Sequence, residues 1–200
     1  MSKLIVILGI TGTQGSSIAT HFLGVSGFHI RGITRTPSNE RAVAFASQGV
    51  EIISADFNDA SSLRAAFEGS TVIFAVTDFW GSFYNPATTA LLREGQSVSE
   101  YCYELELQQG KNIVDAAAMV PGLQRFVFSS CCDASRWSNG KYKGVYHFDS
   151  KAHVVDYVKS TYPDLKQKMD VVIIGNYMSN SKTGLKFYRV CSPYDSFSIS

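Results

Sequence analysis

The chain has 200 residues, enough for one domain that buries roughly 70% of its unfolded surface. With 45% apolar and 18% charged residues it is a globular chain and not a disordered one. Eighteen basic against seventeen acidic residues leave a formal charge of +1, which provides no long-range attraction to nucleic acid or a membrane surface, and there is no run of ~18 apolar residues to form a membrane span.

Residues 4–8 are an unbroken apolar run, expected as a strand buried on both faces. The glycines from Gly9 onward interrupt it too early for a secretory signal. Residues 15–23 have helical character and 29–34 form a second strand. A helix over 39–48 starts after Pro37-Ser38 and stops at Gly49. Strand three is expected at 50–54, a short helix at 61–67 and strand four at 71–76. A loop rich in aromatic residues follows over 77–87. A long helix spans 98–119, with Tyr101, Leu105, Ile113 and Ala116 on one stripe. Strand five lies at 125–129, a polar loop at 135–144, a helix at 148–160 and strand six at 171–174. Residues 181–200 have no clear periodicity and read as an irregular tail. Alternating strands and helices predict an α/β fold, a doubly wound parallel sheet in the order 3-2-1-4-5-6.

Gly9-Ile10-Thr11-Gly12-Thr13-Gln14-Gly15 joins the first strand to the first helix. Gly9 would allow the tight turn, Gly12 would let a pyrophosphate approach the backbone, and Gly15 would let the helix pack against the sheet. The helix N-terminus would aim its amides and positive dipole end at the phosphates. The context of strand, glycines and helix points to a dinucleotide site; the alternative is a glycine turn kept for packing alone. The second strand ends in Ile33-Thr34-Arg35-Thr36, with no acid to bond a ribose 2′-hydroxyl. Arg35 could instead pair with a 2′-phosphate, so NADP(H) is expected ahead of NAD(H). Otherwise Arg35 is a solvated loop charge. Asp56, followed by Phe57, would meet the adenine base or else cap a turn. Val76 and Thr77 end strand four, where the backbone would pass the ribose and pyrophosphate.

Six stretches together resemble the NmrA-like family, atypical short-chain dehydrogenase/reductases. They are Gly9 to Gly15 with Gln14, Ile33-Thr34-Arg35, Thr77-Asp78-Phe79-Trp80, Gln109-Gly110-Lys111-Asn112, Phe126 to Ser130, and His147-Phe148-Asp149-Ser150-Lys151. Gly175 to Asn180 resembles the family's segment after strand six. The resemblance implies an NADP-binding Rossmann domain over 1–180. It also implies a smaller C-terminal substrate lobe, of which 181–200 would be a truncated remnant.

In the wider superfamily a Tyr-x-x-x-Lys pair places both side chains on one helix face, the Tyr as general acid and the Lys on the nicotinamide ribose. Here His147 precedes Lys151 by four residues, and Tyr146 is one position off. His147 is a candidate proton donor or simply a polar residue at a helix start. Lys151 keeps its ribose-binding role under either reading. Ser129-Ser130 and then Cys131-Cys132 stand where the family's supporting hydroxyl would be. The four cysteines, Cys102, Cys131, Cys132 and Cys191, lack metal-ligand spacing and read as reduced thiols; the adjacent Cys131 and Cys132 are read as small buried residues, with a redox-sensing role as the alternative.

Two functions follow. The first and preferred is an NADP-binding redox sensor or transcriptional regulator acting through a protein partner, cytoplasmic or also nuclear, without direct nucleic-acid contact. The aromatic loop would face that partner or cap the cleft. The second is an NADPH-dependent oxidoreductase reducing a quinone, an aldehyde or another small carbonyl compound.

Overall fold

The structure, a computed structural model, describes residues 2–174 and Tyr177. Six strands pair in parallel in the order β3-β2-β1-β4-β5-β6, as the alternating pattern predicts. They are β1 (Lys3–Leu8), β2 (Phe28–Thr34), β3 (Glu51–Ser54), β4 (Val72–Ala75), β5 (Arg125–Ser130) and β6 (Met169–Ile173). Strand β1 lies in the middle, and its side chains feed both faces of the sheet. Val6 and Leu8 join a core with Leu63, Phe67, Ile113, Phe126, Phe128 and Val154. Ile5 and Ile7 join a smaller one with Ala19, Ile30 and Phe45. Each fully buried ring of the larger core contributes about 2–3 kcal/mol through removal from water.

The helices sort by face. Helices α1 (Thr13–Leu23) and α2 (Glu40–Ala46) cover the smaller core. Helices α3 (Ala60–Phe67), α5 (Val98–Ala118) and α7 (Tyr146–Thr161) cover the larger. Helix α5 starts in a capping box: Ser97 Oγ accepts from the Glu100 amide and the Glu100 carboxylate accepts from the Ser97 amide. Its buried stripe runs through Cys102, Glu106, Gln109, Gly110, Ile113 and Ala117. Tyr101 and Leu105, expected on that stripe, are only half-buried.

Several stretches differ from expectation. The aromatic loop contains helix α4 (Phe79–Phe83), started by Asp78, whose Oδ1 accepts from the Gly81 amide at 3.0 Å. A 3-10 turn (Pro86–Leu91) follows, capped by Asn85. The polar loop begins with helix α6 (Ala134–Trp137), capped by Asp133. Helix α7 starts two residues early, and α8 (Pro163–Lys168) occupies a stretch where no element was expected. All three short helices are fixed by a local cap or a Pro at the first turn, and each is too short to show an apolar period. The tail at 181–200, the expected second lobe, Cys191 and all of 175–180 except Tyr177 lie outside the described residues. Among the described residues, no helix is long and apolar enough to cross a membrane.

Candidate functional site

The turn after β1 is built from its glycines. Gly9 has φ +64, and a Cβ there would meet Val76 Cγ1 at 3.2 Å. The Gly12 amide closes the turn onto the Gly9 carbonyl at 2.8 Å. A Cβ on Gly15 would lie 2.3 Å from the Gly9 carbonyl oxygen and 2.9 Å from Ile10 Cα. Gly15 therefore packs α1 against the turn itself, rather than against the sheet as expected. Gly12 is the N-cap of α1 and has no side chain to bond the first-turn amides. Those amides and the dipole end of an eleven-residue helix open toward the cleft.

This cleft is a cavity of ≈ 460 Å³ lined by Gly9, Thr11, Gly12, Thr13, Gln14 and Gly15 from the turn, Thr34 and Arg35 from the end of β2, Asn39, Phe57, and Val76 and Thr77 after β4. Arg35 is exposed and has no ion-pair partner among the described residues. Arg41, on the first turn of α2, donates from Nη1 to the Thr11 carbonyl at 2.9 Å. A second guanidinium thus reaches the rim of the cleft. Asp56 does not line it. Its Oδ1 accepts from the Asn58 amide and side chain, both at 2.9 Å, which closes its own turn, and the exposed residue stands beside Arg35 and Phe57 in a small adjoining pocket.

A second cavity of ≈ 470 Å³ shares Gln14, Val76, Thr77, Asp78 and Tyr177 with the first. Phe79 and Trp80 of α4, Ser129, Ser130 and Cys131 at the end of β5, and His147, Phe148 and Lys151 of α7 form its walls. Lys151 Nζ donates to Oε1 of Glu106, and Ser150 Oγ donates to Oε2. Glu106 is 1% exposed. The His147 ring lies 4.8 Å from that of Trp80 and 4.7 Å from that of Phe148. Burial, reinforced by the Lys151 ammonium, holds His147 below the ordinary histidine pKa. Tyr146 points elsewhere, toward Tyr103 of α5 with ring centroids 5.8 Å apart. The cysteines differ from one another: Cys102 is buried, Cys131 half-buried and Cys132 exposed, so the buried reading of the adjacent pair fails for Cys132 and holds only in part for Cys131. Burial raises the Cys131 thiol pKa against the opposing pull of Lys151.

The structure brings His147, Lys151 and the glycine turn around two adjoining cavities. It adds Glu106 and Arg41, neither of which the sequence singled out, and it places Phe79 and Trp80 of the aromatic loop on the cavity wall, the cleft-capping alternative. A nicotinamide dinucleotide fits the residues present. Among the described residues Thr77 Oγ1 and Gln14 Oε1 are buried without hydrogen-bond partners, and both residues stand where the two cavities meet. Buried polar atoms are ordinarily paired, so two orphans at one junction suit a polar ligand. The third such atom, Ser70 Oγ, lies away from both cavities.

The NmrA-like family matches residues 1–190 of the chain. The NmrA-like family domain-containing oxidoreductase hkm9 of Aspergillus hancockii is 37% identical over 140 residues, 70% of this chain and 37% of hkm9. In fold the chain is similar to the crystal structure of Nmra, a negative transcriptional regulator, with a TM-score of 0.70 and 22% identity over 90% of this chain and 48% of that one. Nmra in complex with NAD gives a TM-score of 0.61 at 21% identity, over 80% of this chain and 42% of that one. Its complex with NADP gives 0.63 at 20% identity, over 86% and 44%. An NADPH-dependent quinone oxidoreductase from Escherichia coli gives 0.59 at 18% identity, over 90% and 50%. The chain spans 37% of the length of hkm9 and 48% of that of Nmra.

Proposed function

The chain belongs to the NmrA-like family, and from that premise we propose that it binds NADP(H) in preference to NAD(H) and reduces a small carbonyl compound, such as a quinone or an aldehyde, in the adjoining cavity. One observation carries this reading: the Lys151 amine lines a cavity that shares Gln14 and Thr77 with the glycine cleft. Lys151 would hold the ribose in a regulator as well; what dinucleotide sensing alone does not call for is a second cavity of ≈ 470 Å³ beside the glycine cleft, with room for a substrate. The similarity to hkm9, an oxidoreductase of this family, supports the reading, as does the fold shared with the E. coli quinone oxidoreductase.

The glycine turn and the first-turn amides of α1 would hold the pyrophosphate. Arg35, with Arg41 behind it, would take the 2′-phosphate through a planar fork. When bound, the nicotinamide supplies a hydride. Lys151 would hold the ribose and stabilise negative charge forming on the substrate oxygen. His147, kept neutral at pH 7 by its depressed pKa, would orient the substrate by hydrogen bonding, and the Lys151 ammonium on the cavity wall would give the alkoxide its proton and be reprotonated by water. Phe79 and Trp80 would keep water from the reacting atoms.

The regulatory reading stands second, on one observation: no tyrosine lies four residues before Lys151, and Tyr146 faces Tyr103 instead. A single assay separates the two. NADPH is mixed with a panel of quinones and aldehydes, and the nicotinamide absorbance is followed. Turnover that disappears in Lys151→Ala supports the oxidoreductase; tight NADPH binding without turnover supports the regulator.

A further inference from the structure

We propose that Glu106 is a positioning residue that holds the Lys151 ammonium at the cavity wall before any ligand arrives. This rests on the dinucleotide reading above and adds to it a residue in the middle of α5. Both carboxylate oxygens are used: Oε1 accepts from Lys151 Nζ and Oε2 from Ser150 Oγ. With each oxygen engaged by a neighbour on α7, the carboxylate has one orientation, and so does the amine. A free lysine side chain forfeits rotamer freedom when it is ordered. Here that cost is met in folding, so it does not weaken ligand binding.

A stabilising role does not account for the pair. The two side chains are 14% and 2% exposed, the most deeply buried ion pair among the described residues. Replacing such a pair by apolar groups is often neutral or stabilising, because desolvation offsets the attraction. The neighbouring turn also carries a cost: Gly110, one turn after Glu106, sits mid-helix, where glycine is about 1 kcal/mol worse than alanine. Its missing side chain lets Val154, one turn after Ser150, come against the α5 backbone. Two unfavourable choices thus bring α5 close to α7 at the height where the lysine meets the cavity.

The test measures NADPH affinity by nicotinamide fluorescence in the unmodified protein, Glu106→Gln, Lys151→Met and the double variant. Glu106→Gln is expected to weaken NADPH binding about tenfold, the usual scale for a lost charged hydrogen bond. In the Lys151→Met background the same change is expected to add less than about twofold. Unchanged affinity in Glu106→Gln, or additive losses in the double variant, overturns the proposal. Isotope-edited NMR relaxation of the Lys151 ε-methylene needs no ligand: an ordered side chain is expected in the unmodified protein and a mobile one in Glu106→Gln, a change that a merely structural role would not produce. Should Glu106→Gln not fold, Ser150→Ala keeps the ion pair and frees only Oε2; an affinity and a Lys151 side-chain order identical to those of the unmodified protein then overturn it. If NADPH does not bind the unmodified protein, the dinucleotide reading fails, and the NMR measurement decides the role of Glu106 by itself.

Discussion

Gly110 of α5 and Val154 of α7 pack so closely that a Cβ on Gly110 would come within 2.2 Å of the Val154 Cγ2 methyl. Gly110→Ala should therefore destabilise the fold even though alanine is the better helix former. Overpacking costs typically 1–3 kcal/mol, against roughly 1 kcal/mol gained in helix propensity. Denaturant unfolding is expected to show a net loss, with much of it recovered when Val154→Ala is added. Equal stability of Gly110→Ala and the unmodified protein would mean that the two helices adjust freely.

Arg35 is expected to separate the two dinucleotides. Arg35→Ala should weaken NADPH about tenfold, the scale of one charge-assisted bidentate contact. NADH has no 2′-phosphate, and its affinity should change by less than roughly twofold. Arg41→Ala should weaken both, because its guanidinium also braces the Thr11 carbonyl at 2.9 Å. Fluorescence titration of the unmodified protein and the two variants with each dinucleotide checks this.

His147 makes stability depend on pH. Its folded pKa lies below the ordinary value of 6.5, because of burial first and Lys151 second. The unfolded chain therefore binds the proton more readily than the native one. The stabilising contribution of the neutral ring is present above pH 6.5 and declines as the pH falls from there through the folded pKa. His147→Phe, which keeps an aromatic ring beside Trp80 and Phe148, should flatten this part of the stability–pH curve. A slope unchanged by the substitution assigns the dependence to other groups.

Arg31 links three elements. It donates to Glu51 Oε2 at 2.9 Å and to the Ala66 and Glu68 carbonyls at 3.0 and 2.8 Å, tying β2 to β3 and to the end of α3. Its side chain is 16% exposed. Arg31→Met keeps the stem and removes all three bonds, at an expected cost of about 1–3 kcal/mol. For a chain of this length a thermal melt would fall by roughly 2–4 °C per kcal/mol lost.

The parts of the fold that the sequence made legible are those with a strong local signal. The run Leu4 to Leu8 contains no polar residue to confuse the pattern, and Phe126 to Phe128 is a short apolar run followed by buried serines. Of the turn glycines, Gly15 stands where a Cβ would strike backbone at 2.3 Å, and Gly9 has φ +64. Lys151 and His147 could be placed together because helical spacing alone puts them on one face. Glu106 was not legible: a carboxylate mid-helix ordinarily reads as solvent-facing, and only the crossing of α5 over α7 supplies its partners. Arg41 meets Thr11 through the packing of α2 beside the turn, 30 residues away in the chain. Asp56 suited either a base contact or a turn, and its geometry uses the turn.

The central claim is that the cleft of Gly9, Gly12 and Arg35 binds a nicotinamide dinucleotide bearing a 2′-phosphate. Isothermal titration of the unmodified protein with NADPH and with NADH tests it most directly. The account predicts saturable binding of both, with NADPH the tighter by at least about tenfold. Equal affinities would contradict the role given to Arg35, and the absence of heat from either ligand at millimolar concentration would contradict the whole account.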